Sequence, residues 1–129
     1  MSNDTEALKD EVRKFLRLHM TPVPAQLATS GKKHLEVWRP VDKPRAVGLE
    51  MDHAGLIGLW LARQHVPPGL PDSITRVDKE PKLNGWTDAA GRGANSNLTA
   101  YVEFRRKKIS RLAVTSLPDA MFVLEALLK

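Results

Sequence analysis

The chain of 129 residues has no cysteine, so it can form no disulfide, offer no thiol nucleophile and build no thiolate metal site. A reducing, cytoplasmic setting is the expectation that follows. The longest apolar run, residues 54–62, is about half of what a bilayer span requires, so no membrane partner is expected. The opening stretch MSNDTEALKDE carries acids where a secretory leader has a basic segment followed by an apolar one, so export by that route is not expected. The Walker and dinucleotide-binding glycine patterns are both missing. His19, His34, His53 and His65 are dispersed, and a zinc site would have to be assembled from carboxylates and distant imidazoles.

What the chain does have is a local excess of positive charge. Residues 92–111 contain Arg92, Arg105, Arg106, Lys107, Lys108 and Arg111 against the single acid Glu103, a net +5 that equals the net charge of the whole chain. The remaining residues therefore balance to zero. A concentrated cationic stretch next to a Gly/Asn-rich approach is the electrostatic footprint of a surface that meets a polyanion. The chain's length and its 42% hydrophobic content suit one domain with one core.

The pattern predicts an α+β fold: a single compact domain whose mainly antiparallel sheet carries helices packed on one face. Residues 4–20 form a helix, with Asn3 and Glu6 as a capping box and Leu8, Val12, Phe15 and Leu16 as its buried stripe. Lys9, Asp10, Arg13, Lys14 and Arg17 make its solvated face. After a polar joint at 29–31, residues 34–51 form a hairpin that turns at 40–45. The apolar residues 53–65, between Asp52 and Pro67, are read as a buried helix. Residues 79–97 are read as a long loop, and 98–128 as a C-terminal strand-strand-helix unit. In that unit Leu98, Ala100, Val102 and Phe104 alternate as on a strand, although a short helix using Leu98, Tyr101 and Val102 also fits; Ser116 caps the last helix.

Two groups of residues are chemical candidates. If Leu35 and Val37 share a buried face with Val47, Leu49 and Met51, then Glu36 faces Glu50 across the hairpin, and with Asp52 and His53 they could hold Mg²⁺ for phosphodiester cleavage. Asp72 followed by Glu80, Pro81 and Lys82 also resembles the metal-binding signature of restriction-endonuclease-like nucleases, which implies Mg²⁺ on the two carboxylates and a lysine assisting water. The second group is cationic and aromatic: Trp86, Arg92, Asn95 and Asn97 in the loop can stack on bases or bond phosphates.

The order of the last three elements resembles the three-stranded DNA-binding modules of phage-integrase arms and plant AP2 domains, which lay a sheet in the major groove. That resemblance implies Tyr101, Arg105, Arg106, Lys107, Lys108 and Arg111 as the contact set, with arginines on guanine and lysines on phosphates. The expected function is nucleic-acid binding, DNA ahead of RNA and duplex DNA first, with no cofactor. The alternatives are an Mg²⁺-dependent nuclease and a protein-binding adaptor for an acidic toxin or enzyme. Catalysis and oligomeric state are left open.

Overall fold

A computed structural model describes residues 3–27, 34–83 and 85–129. The expected joint at 29–31 and the Asn3 side chain of the expected capping box lie outside the described part. Helix α1 (Asn3–His19) runs directly into strand β1 (Met20–Pro22), followed by β2 (Glu36–Pro40), β3 (Val47–Glu50) and β4 (Ile57–Ala62). Strands β5 (Thr75–Lys82), β6 (Gly85–Thr87) and β7 (Ile109–Val114) complete the sheet, and α2 (Leu117–Leu128) ends the fold. Among the described residues all pairings are antiparallel, and seven strands lie in the order β1-β2-β3-β4-β7-β5-β6. The fold is α+β, and both helices pack on the same face of one sheet, as the pattern predicts.

That face is built by two stripes. Leu8, Val12 and Leu16 of α1 recur at four-residue spacing, and Ala120, Val123, Leu124 and Leu127 of α2 meet them over Val47, Leu49, Ile57, Leu59, Leu61, Leu112 and Val114. Ser116 caps α2 as expected, its hydroxyl accepting from the Asp119 amide at 3.4 Å. No described helix is long and apolar enough to cross a membrane.

The expected buried helix at 53–65 is instead a loop, strand β4 and a single 3-10 turn (Arg63–His65). All six residues of β4 are buried. A strand covered on both faces shows a continuous apolar run rather than an alternating one, and such a run reads like a buried helix. Gly55, at φ +87°, makes the bend that leads from β3 into β4.

The second face is covered by irregular chain. Residues 98–105, expected as a strand, form a 3-10 turn (Ser96–Ala100) and further tight turns. Leu98, Tyr101 and Phe104 are buried at three-residue spacing, the period at which 3-10 side chains eclipse, while Val102 between them is half exposed. They pack on Val37, Trp60, Trp86 and Ile109. The strand that lies between β7 and β6 is β5, whose residues 75–79 pair with β7; the rest of β5 and all of β6 fall within residues 79–97, where the pattern predicts a loop. Pro81 is tolerated in β5 because it lies beyond the stretch paired with β7.

The β2–β3 register differs by one residue from the expected one: Glu36 pairs Leu49, Val37 pairs Gly48 and Trp38 pairs Val47. A shift of one sends each side chain to the opposite face. Val37 and Leu35 thus join the second face, and Glu36 turns toward α1, where Arg13 Nη2 donates to it at 3.3 Å. Lys9 also leaves the expected solvated face of α1: it is buried, and its Nζ donates to the His53 carbonyl at 3.0 Å.

If the second face is a true core, Phe104→Ala should destabilise by about 3–5 kcal/mol and Val102→Ala by no more than about 0.5 kcal/mol. Urea titration of the two variants checks this, and equal effects would contradict the packing.

Candidate functional site

Strand β4 separates β3 from β7, and its Gly58 sits beside the end of β3. Glu50 from β3 and Arg111 from β7 reach toward each other over this glycine, with Arg111 Nε donating to Glu50 Oε1 at 3.0 Å. A Cβ on Gly58 would lie 2.7 Å from Glu50 Oε1 and 2.8 Å from Arg111 Nη2, so any other residue would displace the pair. Asn95 Nδ2 donates to the other carboxylate oxygen at 3.0 Å, while its own Oδ1 caps the following 3-10 turn through the Asn97 amide. The guanidinium lies 5.9 Å from the Trp60 ring centroid.

His53 extends this cluster. Its Nε2 is 3.3 Å from Arg111 Nη2 and 3.5 Å from Glu50 Oε1, and the Lys9 bond to its carbonyl holds the bend that presents it. Burial by itself would raise the Glu50 carboxyl. The Asn95 amide, the Trp60 indole N–H and the Arg111 guanidinium outweigh that effect and hold it below the usual carboxylate range. The indole acts here as a nearby dipole, since Trp60 Nε1 is buried without a well-formed hydrogen bond.

These groups line a cleft of about 560 Å³ with His34, Asp52 and Lys79. Lys79 Nζ donates to Asp88 Oδ2 at 2.8 Å, and both side chains are less than a tenth exposed. Asp88 Oδ1 accepts from the amides of Ala90 and Arg92 at 2.9 Å each, which locks the 88–92 turn. The Lys79 bond, then the Arg92 and Ala90 amides, bring the Asp88 carboxyl from 3.8 to about 2.

The expected nucleic-acid contacts divide into two sets. Trp86, Asn95, Asn97 and Tyr101 are buried, Trp86 donating to the Lys107 carbonyl at 2.7 Å, so they support the fold and offer no free faces for stacking. Arg111 is tied to Glu50 through its Nε, and Arg105 Nε is bonded to the Thr99 carbonyl at 2.9 Å. Arg92, Arg106, Lys107 and Lys108 are exposed, and Lys108 Nζ lies 4.0 Å from Glu80. Lys82, Leu83, Trp86, Arg105 and Arg106 border a second groove of about 520 Å³. The two depressions share Gly93 and Ala94 as a common rim.

The expected Mg²⁺ set is taken apart by the register: Glu36 lies on the α1 face and Glu50 on the opposite face, while Asp52 stands 4.0 Å from His34 Nε2. Asp72 precedes β5, and Glu80, near its far end, is engaged by Arg63 and Lys108. Among the described residues, no three His, Asp or Glu side chains are grouped to hold a metal ion. The Glu50–Arg111 pair, 61 residues apart, and the glycine that admits it carry no local signal that a reading of the chain could find.

A scan of protein-family models and searches of curated proteins and of solved structures returned no match to this chain.

Gly58→Ala should keep the fold yet force Glu50 off Arg111, so its carboxyl should titrate higher than in the parent chain; carbon-detected NMR titration reads this directly. The Asp88 pKa is depressed on folding, so its stabilisation is complete above 3.8 and is lost as pH falls toward about 2. In Asp88→Asn that acid-dependent loss should be smaller, and denaturation midpoints across this pH interval measure it.

Proposed function

We propose that this chain binds nucleic acid, single strands in preference to duplex, along the groove bordered by Lys82, Arg105 and Arg106 and the adjoining cations Arg92 and Lys107. The observation that carries this reading is how the charges are partnered. Lys9, Arg13, Lys14, Arg63, Arg76 and Arg111 each meet a carboxylate. Lys82, Arg92, Arg106 and Lys107 are exposed, and their side chains make no hydrogen bond or ion pair with the described residues. Lys82 and Arg106 border the groove, and Arg92 and Lys107 adjoin its lining residues Gly93 and Arg106 in the chain; unpaired cations beside a concave surface raise the local concentration of a polyanion.

Backbone geometry adds support. Arg106 has φ +62°, a left-handed conformation that costs a non-glycine residue about 1 kcal/mol or more. Strain of this kind concentrates at functional positions. A duplex reader of the type the element order suggests needs an open sheet face, whereas here the second face lies beneath residues 94–107. A groove with cations on its rim and the exposed Leu27 and Leu83 beside it suits an unstacked strand better.

Fluorescence anisotropy with short single-stranded and duplex oligonucleotides, between about 50 and 200 mM salt, tests the proposal. The alanine variant of Lys82, Arg92, Arg106 and Lys107 should flatten the dependence of log affinity on log salt by about 0.7 for each single-strand phosphate that the removed cations neutralise in the parent chain. Arg106→Gly should weaken binding without lowering the denaturation midpoint. An unchanged salt slope, or equal affinity for polyglutamate, would overturn the nucleic-acid reading in favour of an acidic protein partner.

A further inference from the structure

The cleft next to the cationic groove holds more chemistry than binding requires. Glu50 and Arg111 are mostly withdrawn from water, at 14% and 24% side-chain exposure, and an apolar pair would fill the same place without the desolvation cost of two charges. A glycine in the middle of the sheet keeps this space clear. Two imidazoles line the same cleft, His53 directly against the pair and His34 beside Asp52.

We propose that this cleft cleaves RNA, with the ribose 2′-hydroxyl as nucleophile, His53 as general base, His34 as general acid and Arg111 as the phosphate-binding cation. The proposal rests on the nucleic-acid reading of the neighbouring groove, because a strand lying there crosses Gly93 and Ala94 to enter this cleft.

Placement assigns the roles. His53 Nε2 stands 3.3 Å from Arg111 Nη2 and 3.5 Å from Glu50 Oε1, so a phosphate held by Arg111 brings the imidazole beside the 2′-hydroxyl, the place a base needs. His34 lines the same cleft with its Nε2 4.0 Å from the Asp52 carboxylate, and the role of acid falls to it. Glu50 is a positioning residue. One of its oxygens is engaged by Arg111 and the other by Asn95, so it aims the guanidinium and stays ionised.

With a phosphate held by Arg111, the lone pair of a neutral His53 meets the 2′-hydroxyl proton. His53 accepts that proton as the 2′-oxygen forms its bond to phosphorus. The bond from phosphorus to the 5′-oxygen breaks, and His34 delivers its proton to the leaving oxygen. The guanidinium neutralises charge on the non-bridging oxygens throughout. The products are a 2′,3′-cyclic phosphate and a 5′-hydroxyl, and proton and charge balance without water, oxidant or any co-reactant. DNA has no 2′-hydroxyl and cannot enter this sequence.

The test incubates the full chain with single-stranded RNA in the presence of a chelator and identifies product ends by mass spectrometry. Cyclic phosphate termini are expected on RNA, with DNA and 2′-O-methyl RNA left whole. His53→Ala and His34→Ala should each slow cleavage by about a hundredfold or more. Both side chains are about half exposed or more, so anisotropy with 2′-O-methyl RNA and the thermal midpoint should be unchanged. Glu50→Gln should lower kcat more than it changes KM. Intact RNA alongside normal binding of 2′-O-methyl RNA would overturn the cleavage proposal and spare the binding one; loss of both would remove the two together. Cleavage that persists in His53→Ala would assign the activity elsewhere and also overturn it.

Discussion

Strand β4 is buried on both faces, with Ile57, Leu59 and Leu61 against the helices and Trp60 and Ala62 against the opposite side, and the other elements are placed around that constraint. A strand with no solvent face must be paired along both edges and covered above and below. Strands β3 and β7 supply the edges. Helices α1 and α2 cover one face with regular apolar stripes, because two amphipathic helices in contact can shield several strands at once. Among the described residues no α-helix covers the other face. It is closed by residues 94–107, whose tight turns place an apolar side chain inward at every third position.

The same arrangement explains where the polar chemistry collects. Irregular chain covers the second face incompletely, and the uncovered part of it, around Gly58, is where Glu50, Arg111 and His53 meet. Two tethers keep this margin open in a defined shape: Lys9 on the bend before β4, and the Lys79–Asp88 pair under the turn that leads to Gly93. Because residues 88–107 both roof the core and carry the free cations, the cationic groove and the polar cleft are neighbours. Charge on the tip of a covering segment is solvated at little cost, whereas charge on its underside has to be paired. Arg106 and Lys107 illustrate the first condition and Asp88, paired with Lys79, the second.

Much of the fold is legible in the chain. The stripe of α1, strand β7, the Ser116 cap and the stripe of α2 carry their own periodicity, and each lies at its expected place within a residue or two. Three of the expectations that fail do so for separate reasons. The run at 57–62 lacks alternation because both of its faces are buried, so its period cannot distinguish strand from helix. The alternation at 98–104 overlaps with a three-residue period, and Val102, which is exposed, and Tyr101, which is buried, tell the two apart. The β2–β3 register depends on how many residues the turn between them absorbs, and one residue of difference carries Glu36 to the other side of the sheet.

Composition and local pattern alone settled the fold class, the two helices that share a face and the concentration of positive charge in residues 92–111, because each depends on neighbours close in the chain. Which of those cations remain free, which carboxylate Arg111 meets, and that Glu50 belongs with His53 and not with Glu36 were decided only by the packed sheet. Those contacts join residues tens of positions apart, and a strand's pairing register, which no short stretch of chain encodes, determines the side of the core on which each side chain emerges.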